Sequence, residues 1–255
     1  MSKMKFLAAT CLSTSLLLST SFTNVAQAAE EINNESQEKS QLSQEDLEYM
    51  TSFLNKYNVD NETQLKLIEK VENGLLLDCN LPNKQPVDTY TLESDNFTEN
   101  VDVYEDGSIN VTSLDFSEAT VEEVPAVKNN NDKISRVIDY STGKVTSGSG
   151  YTNYKNVYVN AKSTVVRIAG FYADFTVVRG GYSYIEYVDQ AYYVTVLGGY
   201  SNNESLSIVQ AKETSTKPAE AILKFTYVGF NGGGSTTLWI KLHLQNGKAT
   251  SPNHL

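Results

Sequence analysis

From Lys133 to the C-terminus the chain is a succession of Tyr-, Val- and Thr-rich runs separated by short Gly, Asn and Ser clusters. This pattern restricts the fold more than any other feature of the sequence. β-Branched and aromatic residues fit a pleated, half-buried surface. Regular breaks by turn-forming residues divide the region into strands of comparable length. The runs predict strands over Ser147–Val159, Thr164–Val178, Tyr182–Leu197, Leu206–Lys212, Ala219–Phe230 and Thr236–Leu244. Turns are predicted at Arg179-Gly180-Gly181, Gly198-Gly199, Thr216-Lys217-Pro218 and Asn231-Gly232-Gly233-Gly234. With few helix signals in this region, the implied architecture is an antiparallel β-sandwich or small barrel over residues 133–255. Trp239, Ile240, Leu242 and Leu244 are expected to contribute to its core, and Ala169-Gly170 marks a candidate bulge.

The N-terminal half reads differently. Ser43 can cap a helix with Asp46 three residues on, and Leu47, Met50, Phe53, Leu54 and Tyr57 follow at helical spacing. Asn58-Val59-Asp60-Asn61 breaks this helix and caps a second, whose apolar face is Leu65, Ile68 and Val71 and whose end is Gly74. From Val87 the period falls from 3.6 to 2. Asp106-Gly107 then predicts a β-hairpin in which Val101 and Val103 face Ile109 and Val111. The expected layout is a helical hairpin followed by a β-hairpin over 43–116, a linker over 117–132, and the β-sandwich domain beyond it.

Lys3 and Lys5, the apolar run from Phe6 to Leu18, and Ala26-Gln27-Ala28 form an export signal, with cleavage expected after Ala28. Residues 29–42 are polar and charged and are expected to be a disordered leader. Localisation is therefore expected to be extracellular, and no later segment is apolar and long enough to span a bilayer. Removal of the signal takes Cys11 with it, so Cys79 stands alone and no intramolecular disulfide can form. Cys79 follows Leu75-Leu76-Leu77 and is expected to be a buried thiol. The histidines are His243 and His254, too few for a zinc site built from His and Cys. The net charge of −11 argues against a nucleic-acid partner. No cofactor is expected. Gly232-Gly233-Gly234 lacks the Lys-Ser of a phosphate cradle, and Asp106-Gly107-Ser108 lacks the acidic spacing of a calcium loop.

The candidate site is the stretch Tyr182–Tyr193. Strict alternation places Tyr182, Tyr184, Glu186 and Tyr192 on one side and Ile185, Tyr187, Asp189 and Tyr193 on the other. Tyrosine faces beside carboxylates suit stacking on sugar rings, and Tyr182, Tyr184, Glu186, Tyr187, Asp189 and Tyr192 are the candidate ligand-binding residues. Asp174, Glu186 and Asp189 are the acids within aromatic runs. They could form a glycosidase pair, or cross-strand ion pairs with Arg167 and Arg179. His243 sits within a strand, and with no G-x-S-x-G elbow it is expected to be a strand histidine and not a catalytic base.

Several motifs resemble those of a family of uncharacterised secreted proteins of Gram-positive bacteria. In the N-terminal part these are Phe53-Leu54-Asn55-Lys56-Tyr57-Asn58-Val59, Leu67-Ile68-Glu69-Lys70 and Tyr104-Glu105-Asp106-Gly107-Ser108-Ile109. In the C-terminal part they are Ser147-Gly148-Ser149-Gly150-Tyr151, Ala173-Asp174-Phe175, Gly180-Gly181-Tyr182 and Thr237-Leu238-Trp239. The resemblance implies export and a helical hairpin ahead of a β domain of unknown function, and it brings no catalytic residues. The sequence therefore points to a secreted binding protein that uses a Tyr-rich sheet face at the cell envelope, on a glycan or a protein. A membrane-active toxin or bacteriocin-like effector is the second reading, and a carbohydrate hydrolase with paired carboxylates the third.

Overall fold

Ser43 starts the first helix as its spacing predicts. Its hydroxyl accepts the Asp46 N–H at 3.1 Å, satisfying one donor that a helix start leaves open, and α1 runs over Gln44–Lys56. Met50, Phe53 and Leu54 form its buried stripe. The Asp60 carboxylate caps α2 (Asn61–Glu72) through the Thr63 N–H at 3.0 Å. α2 ends where Gly74 takes φ +71° and the Leu75 N–H returns to the Lys70 carbonyl at 2.9 Å. The structure, a computed structural model, describes residues 41–94, 97–124, 146–147 and 150–255. The export signal, residues 29–40 of the leader, residues 125–132 of the linker and residues 133–145 lie outside the described residues.

The rest is mainly β, arranged as two sheets. Sheet A contains β1 (Asp88–Glu93), β2 (Phe97–Val103), β3 (Ile109–Asp115), β4 (Thr120–Val124), β5 (Thr146–Ser147), β6 (Tyr151–Ser163), β7 (Val166–Val178), β8 (Tyr184–Val188) and β9 (Tyr193–Val196). Its centre is the long β6–β7 hairpin. β3 and β4 share one edge of β6, β8 and β9 share the far edge of β7, and β2 and β1 extend the sheet beyond β3. Every pairing in it is antiparallel except β4–β5. Sheet B contains β10 (Gly199–Gln210), β11 (Ala219–Gly229), β12 (Ser235–Gln245), β13 (Lys248–Thr250) and β14 (Asn253–His254).

The β2–β3 hairpin has the expected register, Val101 opposite Val111 and Val103 opposite Ile109. β3 then pairs with β6 along Asn110–Ser163 to Asp115–Tyr158, so the N-terminal hairpin and the C-terminal strands build one sheet. The segment expected as linker begins with β4, which pairs with β6. The inner faces supply the core. Val157, Val159, Phe171, Phe175 and Ile185 of sheet A are buried, as are Leu223, Phe225, Tyr227, Leu238, Ile240, Leu242 and Leu244 of sheet B. Each such side chain contributes about 1.5–3 kcal/mol by leaving water.

Two expectations are corrected. The run Tyr182–Leu197 is two strands, because Asp189–Tyr192 turns the chain from one stretch of the β7 edge to the next. Trp239 does not join the core: Leu238, Ile240, Leu242 and Leu244 point inward along β12, and strict alternation sends Trp239 to the outer face of sheet B.

Candidate functional site

The outer face of sheet A can be traced residue by residue, because direct cross-strand partners and residues two apart share a face. α1 touches this face at both ends. Lys56 and Tyr57 reach Glu99 of β2, at 2.8 and 3.2 Å, and the Tyr49 hydroxyl donates to the Arg167 carbonyl of β7 at 3.0 Å. From Asp46 to Tyr57 the helix rises about 17 Å. The three strand spacings from β2 to β7 span roughly 14 Å, so α1 lies across the strands. Glu99 shares its face with Val101, Val101 pairs with Val111, and Val111 shares its face with Ser113 and Asp115. Asp115 pairs with Tyr158, and Tyr158 with Tyr172. The face that carries α1 is therefore the face that carries these tyrosines.

Beyond the helix the face becomes aromatic. Tyr158 and Tyr172 lie with ring centroids 4.8 Å apart, and Tyr193 meets Tyr158 edge-on at 6.4 Å. Gly170, opposite Tyr193, makes room for this cluster: a Cβ there would stand 2.7 Å from the Tyr158 hydroxyl oxygen. Burial raises the pKa of Tyr158, with Tyr172, Tyr193 and Asp115 adding to the effect, so its hydroxyl stays protonated. The Tyr172 hydroxyl donates to Glu118 at 3.4 Å, and its pKa is also raised, first by burial and then by Glu118.

Further along β7, Tyr187 stands opposite Asp174 and Tyr184 opposite Thr176. A bulge in β8 gives that strand one residue more than β7 between these pairs. Ile185 and Val188 both point inward, and Tyr184, Glu186 and Tyr187 are exposed together. Strict alternation had placed Tyr187 opposite Tyr184 and Glu186; the bulge puts it beside them. Tyr158, Tyr172, Tyr184, Tyr187 and Tyr193 thus share one face, which period 2 from Asn153 extends to Tyr151 at the start of β6. Tyr187 is 54 % exposed and Tyr193 51 %.

The other candidates separate from this group. Tyr182 is exposed but sits in the β7–β8 turn, and Tyr192 is half-buried against the core. Asp189 holds the β8–β9 turn: its N–H bonds the Tyr172 carbonyl at 2.9 Å, and its carboxylate accepts the Ala191 N–H at 3.0 Å. Tyr158 and Tyr172 went unread because they lie on other strands, and period 2 within one run cannot show which strands become neighbours.

A polar ladder crosses the same face. The Asn153 amide donates to Glu122 at 3.5 Å, and the Thr176 hydroxyl bridges Asn153 and Glu186 at 2.7 and 2.9 Å. The Asp174 carboxylate accepts the N–H of Asn156, at 2.8 Å, where β6 bulges and Asn156 takes φ +56°. The alternatives for the three acids are thus resolved against arginine pairing. Arg167 instead binds Glu45 and Asp46 of α1, at 2.7 and 3.2 Å. Among the described residues, Asp115, Glu118, Glu122, Asp174 and Glu186 form no ion pair.

Among the described residues, concavities lie away from this face. One of about 330 Å³ opens between the sheets among Leu114, Phe116, Tyr154, Val177 and Ala249. Another lies between α2 and the β2–β3 turn beside Lys70 and Asp106. Neither contains Asp174, Glu186 or Asp189. On the outer face of sheet B, Glu220 accepts from Lys241 at 3.1 Å and meets its strand partner His243 at 2.6 Å, with Trp239 beside Lys241. Burial opposes ionisation of Glu220, but the bonds from Lys241 and His243 outweigh it and hold the carboxyl below its ordinary range. Cys79 is fully buried, and burial pushes its thiol up to about 12, which leaves it unreactive at neutral pH. Among the described residues no cluster of three or more His, Cys, Asp or Glu side chains is arranged to hold a metal ion. No helix among them is long and apolar enough to cross a membrane. Comparison with known protein families, with curated proteins and with solved structures found no match.

Proposed function

We propose that this chain is an exported, non-enzymatic protein that binds a glycan of the cell envelope or its surroundings through the outer face of sheet A. The observation that carries this reading is the gathering of Tyr158, Tyr172, Tyr184, Tyr187 and Tyr193 from four strands onto one open face, interleaved with Asn153, Asp174 and Glu186. Aromatic faces offer apolar area for the flat faces of pyranose rings, and the amide and carboxylates accept or donate to hydroxyls at their edges. Export rests on the Lys3–Ala28 segment.

Two features disfavour the other readings. Asp174, Glu186 and Asp189 each accept a hydrogen bond that holds a bulge, a ladder or a turn, and the described residues build no enclosed cleft around them that would exclude water from a scissile bond. The β6–β7 hairpin is bonded to other strands along both outer edges, so inserting it into a membrane would first break both ladders.

The test is retention on insoluble cell-wall polysaccharides and host glycans, comparing the protein with a Tyr187→Ala/Tyr193→Ala variant. Both positions are half-exposed, so the variant should keep its fold. Retention of the protein and its loss in the variant are the expected results. No retention on any polysaccharide, or undiminished retention of the variant, would overturn the proposal.

A further inference from the structure

We infer that the preferred ligand is a glycan bearing free, protonated amino groups, a glucosamine chain in place of its N-acetylated counterpart. This deepens the proposed glycan binding and rests on it: the tyrosines make the platform, and the charge around them sets the selectivity.

The two kinds of acid in this protein are placed differently. Where sheet A meets α1, the acids are matched by cations: Glu99 by Lys56, and Glu45 and Asp46 by Arg167. Beside α2, Asp106 pairs with Lys70, and Asp78 and Glu105 with Lys84, while Asp60 is held by Thr63. On the tyrosine face Asp115, Glu118, Glu122, Asp174 and Glu186 have no cationic partner among the described residues. Lys155, exposed at the β6 bulge, Lys162, the strand partner of Val111, and Lys212, exposed and bridged to Tyr184, pair with none of these acids. Counted over the described residues, five acids outnumber these lysines, and the face carries a surplus of negative charge beside the exposed rings.

Their hydrogen bonds leave these carboxylates acceptor capacity, since a carboxylate offers about four lone-pair sites. Glu186 receives one bond from Thr176, and Asp174 one from the Asn156 N–H. Tyr187 is the direct cross-strand partner of Asp174, and Glu186 precedes it. An ammonium group near the Tyr187 ring would meet a π-face and two carboxylates together, a combination that favours cations over neutral amides. A sulfated or carboxylated polymer would meet repulsion from the same groups. Because the face is solvent-exposed, the electrostatic part of binding should be screened strongly by salt.

The experiment is calorimetric titration of the full-length exported protein with a glucosamine hexamer and an N-acetylglucosamine hexamer, at pH 5.5 and at low and high salt. Three proteins are compared: the unmodified chain, Asp174→Asn/Glu186→Gln, and Tyr193→Ala. The amide substitutions keep a hydrogen-bond acceptor at both positions, and melting temperatures check the fold. The expected result is at least tenfold tighter binding of the glucosamine hexamer at low salt. That preference should shrink to under threefold in high salt and in the double amide variant, and Tyr193→Ala should weaken both hexamers. Equal binding of the two hexamers, or a preference that survives the amide substitutions, would overturn this inference and leave glycan binding standing. No binding of either hexamer, together with no retention on any polysaccharide, would overturn both.

Discussion

The outer face of sheet A is one continuous surface treated in two ways. Under α1 it is built from Val101 and Val111, and the charges along the contact are closed by Lys56–Glu99 and Arg167–Glu45/Asp46. Beyond the helix, on β6 to β9, it is built from tyrosines beside carboxylates that have no cationic partner among the described residues. β3, β6 and β7 run through both halves and are buried on their inner side, so the difference lies in what each half is prepared to meet. Where the chain covers its own sheet it uses aliphatic side chains, buried in the same core as Met50, Phe53 and Leu54 of the helix. Where it leaves the sheet open it uses amphipathic rings, which tolerate water and retain a large area for contact.

Predictions follow from this contrast. In the covered half, Leu54→Ala should cost about 3 kcal/mol of unfolding free energy, because a fully buried side chain leaves a cavity that the helix cannot close. Urea denaturation measures it, and a loss below 1 kcal/mol would mean that α1 is not part of the cooperative unit.

Asp106 supports the same half from the β2–β3 turn. It accepts from Lys70, from the Asp78 N–H and from Ser108 at 2.6–3.0 Å. Burial opposes its ionisation, but these bonds win and hold its carboxyl below the ordinary range. A depressed carboxyl pKa stabilises the fold above the unfolded value of about 3.9 and loses that contribution as pH falls through the folded value. Asp106→Asn should therefore cost about 2 kcal/mol near neutral pH, and the gap to the unmodified protein should narrow as the pH falls below about 4. A gap independent of pH would remove the charge from this argument.

In the open half the outcome should reverse. Tyr187→Ala with Tyr193→Ala should change stability by no more than about 0.5 kcal/mol per site while reducing polysaccharide retention at least tenfold. A large loss of stability would show that these rings serve the fold first. The smallest effect belongs to the rim of the covered half. Lys56→Met should cost under about 1 kcal/mol, because Lys56 is half-exposed and its pair with Glu99 is partly screened.

Much of the fold was legible in the sequence because its local signals agree. Ser43, Asp60 and Gly74 mark helix ends by chemistry that needs no tertiary partner, and Asp106-Gly107 sets the β2–β3 register by itself. The tyrosine face was only half legible. Tyr184, Glu186 and Tyr187 could be picked out from their run, but the β8 bulge that brings them to one side has no distinguishing residue in the sequence. Tyr158 and Tyr172 became visible only when β6 and β7 paired, since register between distant strands is a tertiary property. Trp239 was misplaced because hydrophobicity was weighed without its alternation against Leu238 and Ile240.

The most direct test uses this geometry as its own control. The protein has a single tryptophan, Trp239, on the outer face of sheet B, while Tyr158, Tyr172, Tyr184, Tyr187 and Tyr193 face out from sheet A. Its side-chain NMR spectrum should be followed while a soluble oligomer of a retaining polysaccharide is added. The account predicts saturable shifts of the Tyr158, Tyr172, Tyr187 and Tyr193 ring resonances with the Trp239 indole unmoved. Shifts centred on Trp239 and His254, with the tyrosine rings unchanged, would contradict it.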